Sequence, residues 1–206
     1  MTDDILNSVN EYYTNKIKTF GRSPEGVDWN GMESQEIRFE QLSKVFEKEK
    51  SIQFSLLDFG CGFGSYLTYL EKLNVELDYT GYDISDEMIK NAKLQFDEKG
   101  NWIQEIPEKF RTDYVVASGL FNVKLNQNVK DWESYILNTL KIIDSISNKG
   151  FSFNILTSYS DKEYMKDYLY YASPEFFFHH CKVNYSKEVS LLHDYGLYEF
   201  TILVKK

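Results

Sequence analysis

The sequence predicts an α/β fold with a mostly parallel sheet and helices on both faces. Three observations predict it. Short apolar segments alternate with amphipathic ones along most of the chain, the first apolar segment leads directly into a glycine-rich turn, and the last two apolar segments are separated by only the five residues 193–197. Alternating strands and helices are typical of parallel sheets, whereas so short a connection between two strands indicates a hairpin. We therefore expect one antiparallel strand near the C-terminus.

The N-terminal quarter is predicted to be helical. Apolar residues recur every three or four positions over residues 5–20, the pattern of an amphipathic helix, and a second such helix is expected over 33–48. The connection at 21–31 contains Pro24 and an isolated Trp29, and is predicted to be a loop. An indole in such a loop requires a packing partner, either the core or a bound ligand. Arg38 is either a solvated helix residue or a guanidinium held for a ligand carboxylate.

The remaining elements follow as strands and helices in turn. Strands are predicted over 52–57, 77–85, 100–104, 114–118, 150–156, 189–192 and 198–204. Helices are predicted over 65–73, 85–96, 132–145 and 162–171, and a short helix or a turn is predicted to begin at Ser173. Ser85 is a helix-start signal because a serine can cap a helix and the acids that follow it favour the first turn. Pro174 is likewise suited to a first helical position.

Composition narrows the class of protein. With 42% hydrophobic and 27% charged residues, the 206 residues are predicted to form a single domain, 1–206. The sequence has no run of about 18 apolar residues and begins with acidic positions, so a soluble, cytoplasmic protein without membrane association is expected. The formal net charge of −9 argues against nucleic acid as a partner, because binding a phosphate backbone requires positive charge. Cys61 and Cys181 are the two cysteines, and their spacing predicts neither a disulfide framework nor a metal site.

The most informative segment is the glycine turn at 58–64, in which glycine occupies positions 60, 62 and 64 between a strand and a helix. Glycine allows backbone conformations closed to other residues and lets a ligand approach the backbone at a helix N-terminus. A dinucleotide site requires G-x-G-x-x-G, but the position five after Gly60 is Ser65, and the third glycine is Gly64. A dinucleotide-dependent oxidoreductase is therefore the weaker interpretation.

The pattern D-x-G-x-G-x-G, together with Gly81-Tyr82-Asp83, resembles the class I S-adenosylmethionine (SAM) dependent methyltransferases over essentially the whole chain. The family's fold is Rossmann-like, with a mostly parallel seven-stranded sheet and an antiparallel C-terminal hairpin strand. The resemblance implies a cofactor-binding core at 51–206, a helical cap over the cofactor at 1–50, and S-adenosylhomocysteine (SAH) as the product. Residues 26–39 and 193–201 also look like a smaller group linked to bacterial surface polysaccharides, including capsule. A non-catalytic SAM-binding partner domain is the alternative.

The resemblance also implies the cofactor contacts. The first motif, expected against the methionine part, comprises Asp58, Gly60, Gly62 and Gly64. Asp83, 23 residues after Gly60, matches the acid that accepts hydrogen bonds from the ribose hydroxyls, and Ile84 matches the residue packed on the adenine. The acidic position beside the adenine falls at Gln104 or Glu105. Ser118 begins the fourth motif, beside the transferred methyl group, and the further contacts expected from the cap are Trp29 and Arg38.

The acceptor side is predicted from chemistry and topology. Families that methylate planar amines carry Asn-Pro-Pro-Tyr or its Asp variant where this chain has residues 118–121, and no carboxylate set for the metal-dependent catechol type is evident. An oxygen atom of a small molecule is therefore the expected acceptor. Ligands sit beyond the carboxyl ends of parallel strands, so we expect substrate contacts from Phe121, Asn122, Tyr159 and His180. His193 is the candidate general base, because histidine titrates near neutral pH; the alternative is a structural hydrogen bond at the hairpin. The sequence leaves the identity of the acceptor and the oligomeric state open.

Overall fold

A computed structural model describes residues 2–27, 31–49, 53–73, 75–96 and 98–206, and one sheet organises them. The strands are β1 (Phe54–Phe59), β2 (Leu77–Tyr82), β3 (Asn101–Ile103), β4 (Thr112–Ala117), β5 (Ser147–Leu156), β6 (Glu188–Leu192) and β7 (Glu199–Lys205). The helices are α1 (Thr2–Phe20), α2 (Met32–Ser43), α3 (Ser65–Lys72), α4 (Asp86–Phe96), α5 (Val129–Ile146) and α6 (Pro174–Asn184). Short 3-10 helices cover Pro24–Val27, Lys44–Glu49 and Lys162–Tyr164. Among the described residues, no helix combines the length and apolar character that crossing a membrane requires.

The sheet confirms the predicted fold class. Its strand order within the described residues is β3-β2-β1-β4-β5-β7-β6. Strands β1 to β5 are parallel to their neighbours among themselves, and β7 is antiparallel to both β5 and β6. The chain runs outward from β1 to β3 and then returns to β4, so the order reverses between β1 and β4. Open α/β sheets bind ligands at the carboxyl end of such a reversal.

Both faces of the sheet are covered, and β1 shows why its sequence is apolar throughout. Successive side chains of a strand point to opposite faces. Leu56 packs into a cluster with residues of α2, α3 and α4, and Leu57 packs into a second cluster with residues of α1, α5 and α6. Both leucines are fully buried. A strand covered on both faces therefore reads as a nearly continuous apolar run.

The predicted helix at 162–171 is wrong. Only Lys162–Tyr164 forms a 3-10 turn, and the chain then runs alongside the segment that follows β4. Leu169 bridges Val123, and the backbone N–H of Tyr170 donates to the carbonyl of Asn122 at 2.8 Å. Tyr170 is 3% exposed, so its ring belongs to the core. Burial of this ring and the backbone pairing outweigh the helix-like spacing of the neighbouring aromatic residues.

The second predicted helix also ends earlier than the sequence pattern suggested. α2 ends at Ser43 and continues as a 3-10 helix, with non-helical dihedrals at Phe46 (φ −112°, ψ 18°). The Phe46 ring is fully buried and lies 5.0 Å from the ring of Phe54 and 5.8 Å from that of Tyr114, measured between centroids. The change of helix type directs this ring onto the sheet. By contrast, α6 begins as predicted, with Ser173 Oγ accepting a hydrogen bond from the third following backbone N–H at 3.1 Å.

Candidate cofactor and acceptor site

A cavity of about 210 Å³ opens at the carboxyl ends of β1, β2 and β4, where the strand order reverses. The predicted cofactor residues that line it are Asp58, Gly60, Gly62, Asp83, Ile84 and Ser118. Much of its wall comes from α1, α2 and α5. These contribute Leu6, Val9, Asn10 and Tyr13 from α1, Gln35 and Phe39 from α2, and Tyr135, Asn138, Thr139 and Ile142 from α5. The glycine turn, the acid after β2 and the loop after β4 are thus brought together.

The glycine turn is fixed to the end of β2 by backbone hydrogen bonds. The N–H groups of Gly60 and Cys61 both donate to the carbonyl of Tyr82, at 2.8 and 2.9 Å. Gly60 and Gly62 have φ values of +83° and +55°. A residue with a Cβ pays about 1–2 kcal/mol in the left-handed region, so glycine is strongly favoured at both positions. The turn therefore presents bare backbone to the cavity.

Asp83 joins the turn to the start of α4. Its Oδ2 accepts from the N–H of Gly62 at 2.9 Å, and its Oδ1 accepts from the N–H of Ser85 at 2.8 Å. Burial raises the pKa of this carboxyl to about 6. A carboxylate offers about four lone-pair positions, so each oxygen retains capacity for one further donor. The arrangement suits a ligand with two neighbouring hydroxyl groups.

Asp58 is a second acid beside the same cavity. It is 2% exposed, and the hydroxyl of Tyr79 donates to its Oδ2 at 2.6 Å. Burial, opposed by this hydrogen bond and assisted by the nearby charge of Asp83, raises the pKa of Asp58 to about 7. The two carboxyl groups are costly to ionise at this cavity, and a cationic ligand would stabilise their charged form.

Gly64 occupies a different position from the other two glycines of the turn. It is the N-cap of α3, with φ +86°, and is not among the residues that line the cavity. A Cβ added there would lie 2.6 Å from Cε2 of Phe96 and 2.7 Å from Cη2 of Trp102. Gly64 thus allows α3 to pack against α4 and β3. Direct contact of Gly64 with the cofactor stays a prediction, and the packing against Phe96 and Trp102 is a separate reason for glycine at this position.

Arg38 has a carboxylate partner, but the partner belongs to the protein. Its Nε donates to Oε2 of Glu199 at 2.8 Å, and its Nη1 donates to the carbonyl of Ser34 at 2.8 Å. Arg38 is 8% exposed and lies outside the cavity lining. The expectation of a guanidinium held for a ligand carboxylate is corrected accordingly. α2 instead presents Gln35 to the cavity, with its Nε2 donating to Oγ of Ser65 at 3.2 Å.

The other predicted cofactor contacts differ in their position relative to the cavity. Ile84 lines the cavity next to Asp83, where an adenine is expected. Gln104 and Glu105 follow β3, and both are exposed and apart from the lining residues. Trp29 lies outside the described residues.

Two predicted acceptor contacts are buried in the core. Phe121 is fully buried, packs edge-on against Phe153, and its carbonyl accepts from Nε1 of Trp132 at 2.9 Å. Asn122 is 6% exposed, and its Oδ1 accepts from the N–H of Leu156 at 3.0 Å. The chain turns inward directly after the loop at 118–120. In this conformation neither side chain faces the cavity, which corrects the expectation that they contact substrate.

The remaining predicted acceptor residues lie on or near an exposed aromatic surface beyond β5, β7 and β6. We define the aromatic surface as Tyr159, Tyr164, Phe176, His193 and Tyr198. Tyr159 is 64% exposed, and its ring lies 6.0 Å from that of His193. His193 follows β6, three strands from β4, which is roughly 14 Å at the usual strand spacing. His180 is half-buried, its Nε2 lies 3.2 Å from the hydroxyl of Tyr185, and burial lowers its pKa.

The sequence pattern did not reveal the cavity residues supplied by α1 and α5. On α5 these include Tyr135 and Thr139, one helical turn apart, with Thr139 Oγ1 donating to the Tyr135 carbonyl at 2.9 Å. On α1, Oγ1 of Thr14 is hydrogen-bonded to Oγ of Ser85 at 2.8 Å, which ties the helix to the loop after β2. Periodicity identified both helices but not which turn of each would lie over the strand ends. That information comes only from the packing.

Comparisons with known proteins agree with this geometry. A family model described as a methyltransferase domain matches residues 57–144. Rv1506c of Mycobacterium tuberculosis (strain H37Rv), provisionally named a methyltransferase, is 50% identical over 155 residues, which cover 74% of this chain and 93% of Rv1506c. The DhpI-SAM-HEP complex shares the fold with TM-score 0.68 at 14% identity, covering 98% of each chain. The plantazolicin methyltransferase BpumL, solved with a pentazolic desmethylPZN analog and SAH, gives TM-score 0.62 at 14% identity over the whole of both chains.

Proposed function

Because this chain belongs to the class I SAM-dependent methyltransferases, we propose that it transfers the methyl group of SAM to an oxygen atom of a small molecule, leaving SAH. The observation that carries the cofactor assignment is Asp83, which is bonded to the glycine turn through Gly62 and still has acceptor capacity toward the cavity. The vicinal ribose hydroxyls of SAM are donors suited to that capacity.

The residues around the cavity fit the rest of this cofactor. The turn at Gly60 and Gly62 exposes backbone to the methionine part, and Ile84 offers an apolar contact to the adenine. SAM supplies an electrophilic methyl group on a sulfonium cation, and the cavity acids Asp58 and Asp83 favour a cationic ligand. Within the described residues, Ser118 Oγ is buried without a hydrogen-bond partner although Ser118 lines the cavity. Because buried polar atoms are normally satisfied, a bound ligand group is a fitting partner for it.

The protein's contribution to the reaction is alignment and exclusion of water. Displacement at a sulfonium methyl group is in line, so holding the acceptor oxygen opposite the leaving sulfur supplies much of the acceleration. Helices α1 and α5, which pack on the same face of the sheet, wall the cavity together with α2, which packs on the opposite face. The loop at 118–120 lines the cavity next to the glycine turn. We assign this loop to the methyl-transfer side of the cavity.

The aromatic surface lies beyond the cavity, which supports an acceptor long enough to contact both. Its tyrosine hydroxyls are held by acids, since Tyr159 donates to Glu175 and Tyr198 donates to Asp161. Exposed aromatic faces beside carboxylates suit a portion rich in hydroxyl groups, because carboxylates accept hydrogen bonds from hydroxyls. We propose that a sugar portion of the acceptor docks there. A sugar or a phosphorylated or phosphoramidate precursor of a bacterial surface polysaccharide is the acceptor class to test first.

Two experiments test this function. Calorimetry with SAM, SAH and NAD should detect binding of SAM and SAH only, and binding of NAD without SAM would overturn the cofactor assignment. Incubation with methyl-labelled SAM and panels of sugars, phosphorylated sugars and phosphoramidates should then transfer label to an oxygen atom, and label on nitrogen would contradict the proposed acceptor. If His193 is the general base, His193→Ala should abolish turnover; full turnover would remove it from that role.

A further inference from the structure

A buried polar network lies next to the cavity without lining it. Its members are Arg38 on α2, Asn122 after β4, Asn154 on β5 and Glu199 at the start of β7, each less than 9% exposed. Burying a charged or amide side chain is costly unless it is well hydrogen-bonded. Four buried polar side chains in one network indicate a role in fixing the local conformation, beyond filling the core.

Glu199 is the centre of the network. Its Oε2 accepts from Nε of Arg38 at 2.8 Å and from Nδ2 of Asn154 at 2.5 Å. Its Oε1 lies 3.5 Å from Nδ2 of Asn122, a long hydrogen bond. Arg38 compensates the buried charge, and the two amides are oriented by the same carboxylate. The carboxylate thereby fixes which end of the Asn154 amide faces the cavity loop.

Asn154 connects the network to the loop that lines the cavity. Because its Nδ2 is committed to Glu199, its Oδ1 faces the loop and accepts from the backbone N–H of Gly119 at 2.8 Å. Gly119 follows Ser118 and has φ +68°. The next residue, Leu120, packs on the glycine turn, since a Cβ added at Gly60 would lie 2.9 Å from its Cδ1. The loop at 118–120 is therefore tied to β5 through Asn154 and to the glycine turn through Leu120.

We propose that Asn154, oriented by Glu199 and Arg38, is a positioning residue that keeps the loop at 118–120 in the conformation that completes the cofactor cavity. The inference rests on the proposed function, because the loop matters only if the cavity holds SAM. The cap helix α2 also helps to hold the loop through this network. Arg38 and Gln35 lie on the same helix, so the network joins the cap wall to the loop through β7 and β5.

The test compares Asn154→Ala with a matched control, Ser152→Ala. Ser152 lies two residues earlier on β5, is 1% exposed, and donates from Oγ to the carbonyl of Leu42 at 2.9 Å, away from the loop. Asn154→Ala should weaken SAH binding about tenfold by calorimetry, the scale of an unsatisfied buried donor, and speed hydrogen exchange of the Gly119 amide in the SAH-bound protein. Ser152→Ala should change neither, even if its midpoint of thermal unfolding falls equally. Equal effects of the two variants on SAH binding would overturn the inference.

Two single substitutions at the Asn154–Glu199 contact test the orienting role of Glu199 directly. Asn154→Asp places a second carboxylate beside Glu199 and should weaken SAH binding. Glu199→Ala removes the carboxylate that accepts from Asn154 and should also weaken SAH binding and speed hydrogen exchange of the Gly119 amide. A Glu199→Ala variant that binds SAH and protects the Gly119 amide like the wild type would contradict the orienting role. A wild-type protein that does not bind SAH would overturn the proposed function together with this inference, whereas normal wild-type binding with unaffected variants overturns only the inference.

Discussion

Replacing Gly64 with alanine separates folding from cofactor contact within the glycine turn. The residue has φ +86°, and a side chain in the left-handed region costs about 1–2 kcal/mol. Its Cβ would lie 2.6 Å from Cε2 of Phe96 and 2.7 Å from Cη2 of Trp102, both inside a packed cluster. Overpacking of this kind adds about 1–3 kcal/mol. We therefore expect Gly64→Ala to lower the free energy of unfolding by about 2–5 kcal/mol.

Gly196→Ala is the matched control for this substitution. Gly196 has φ +71°, but no atom lies within 4 Å of the added Cβ, so only the backbone cost of about 1–2 kcal/mol applies. Urea unfolding of both variants without cofactor isolates the packing cost as their difference. Since Gly64 does not line the cavity, folded Gly64→Ala should bind SAH like the wild type in calorimetry. Equal stability losses in the two variants, or a loss of SAH affinity without a loss of stability, would refute this reasoning.

Three further predictions concern the cavity. Asp83→Ala should weaken SAH binding by about 1.5–3 kcal/mol in calorimetry, the scale for a charged hydrogen-bond partner, whereas Asp78→Ala, exposed on the same strand, should have no effect. Burial raises the pKa of Asp58 to about 7, so the folded state holds a proton that the unfolded chain releases near pH 4. The free energy of unfolding should therefore fall as pH rises from about 4 to 7, and Asp58→Asn should reduce that slope by up to about 1.4 kcal/mol per pH unit in urea titrations without cofactor; an unchanged slope would contradict the assignment. Thr14→Val breaks the 2.8 Å contact with Ser85 and should weaken SAH binding by about 0.5–1.5 kcal/mol in calorimetry; unchanged binding would count against a cap role for α1.

The cofactor side of the cavity was predictable because its determinants are local. The glycine turn follows β1 and precedes α3 within a few residues, and Asp83 directly follows β2. Parallel strands bring such turns to the same edge of the sheet, so spacing along the sequence is enough to place them together. The same reasoning does not explain the packing requirement at Gly64, because the contact that requires glycine there comes from Phe96 and Trp102, which periodicity does not relate to it.

The acceptor side depends on contacts that no local pattern contains. Arg38 meets Glu199 across 161 residues, and the sequence offers no signal that pairs them. Phe121 was expected at the substrate because it closes the fourth motif, but its ring is drawn into the core beside Phe153. The segment at 162–171 has helix-like spacing, yet burial of Tyr170 makes it run against the chain after β4. In each case long-range packing decided the outcome.

Local motifs on the cofactor side and long-range contacts on the acceptor side allow the two sides to vary separately. The proposed cofactor contacts come from short motifs at strand ends, so they can be kept while the loops beyond β5, β7 and β6 change. Asn154 belongs to both parts, because it holds the cavity loop through Gly119 and shares Glu199 with Arg38 on the cap helix. A change in the cap or at the start of β7 would thus reach the loop without touching the cofactor motifs. The Asn154–Glu199 contact is therefore where acceptor-side changes and cofactor geometry are expected to be coupled.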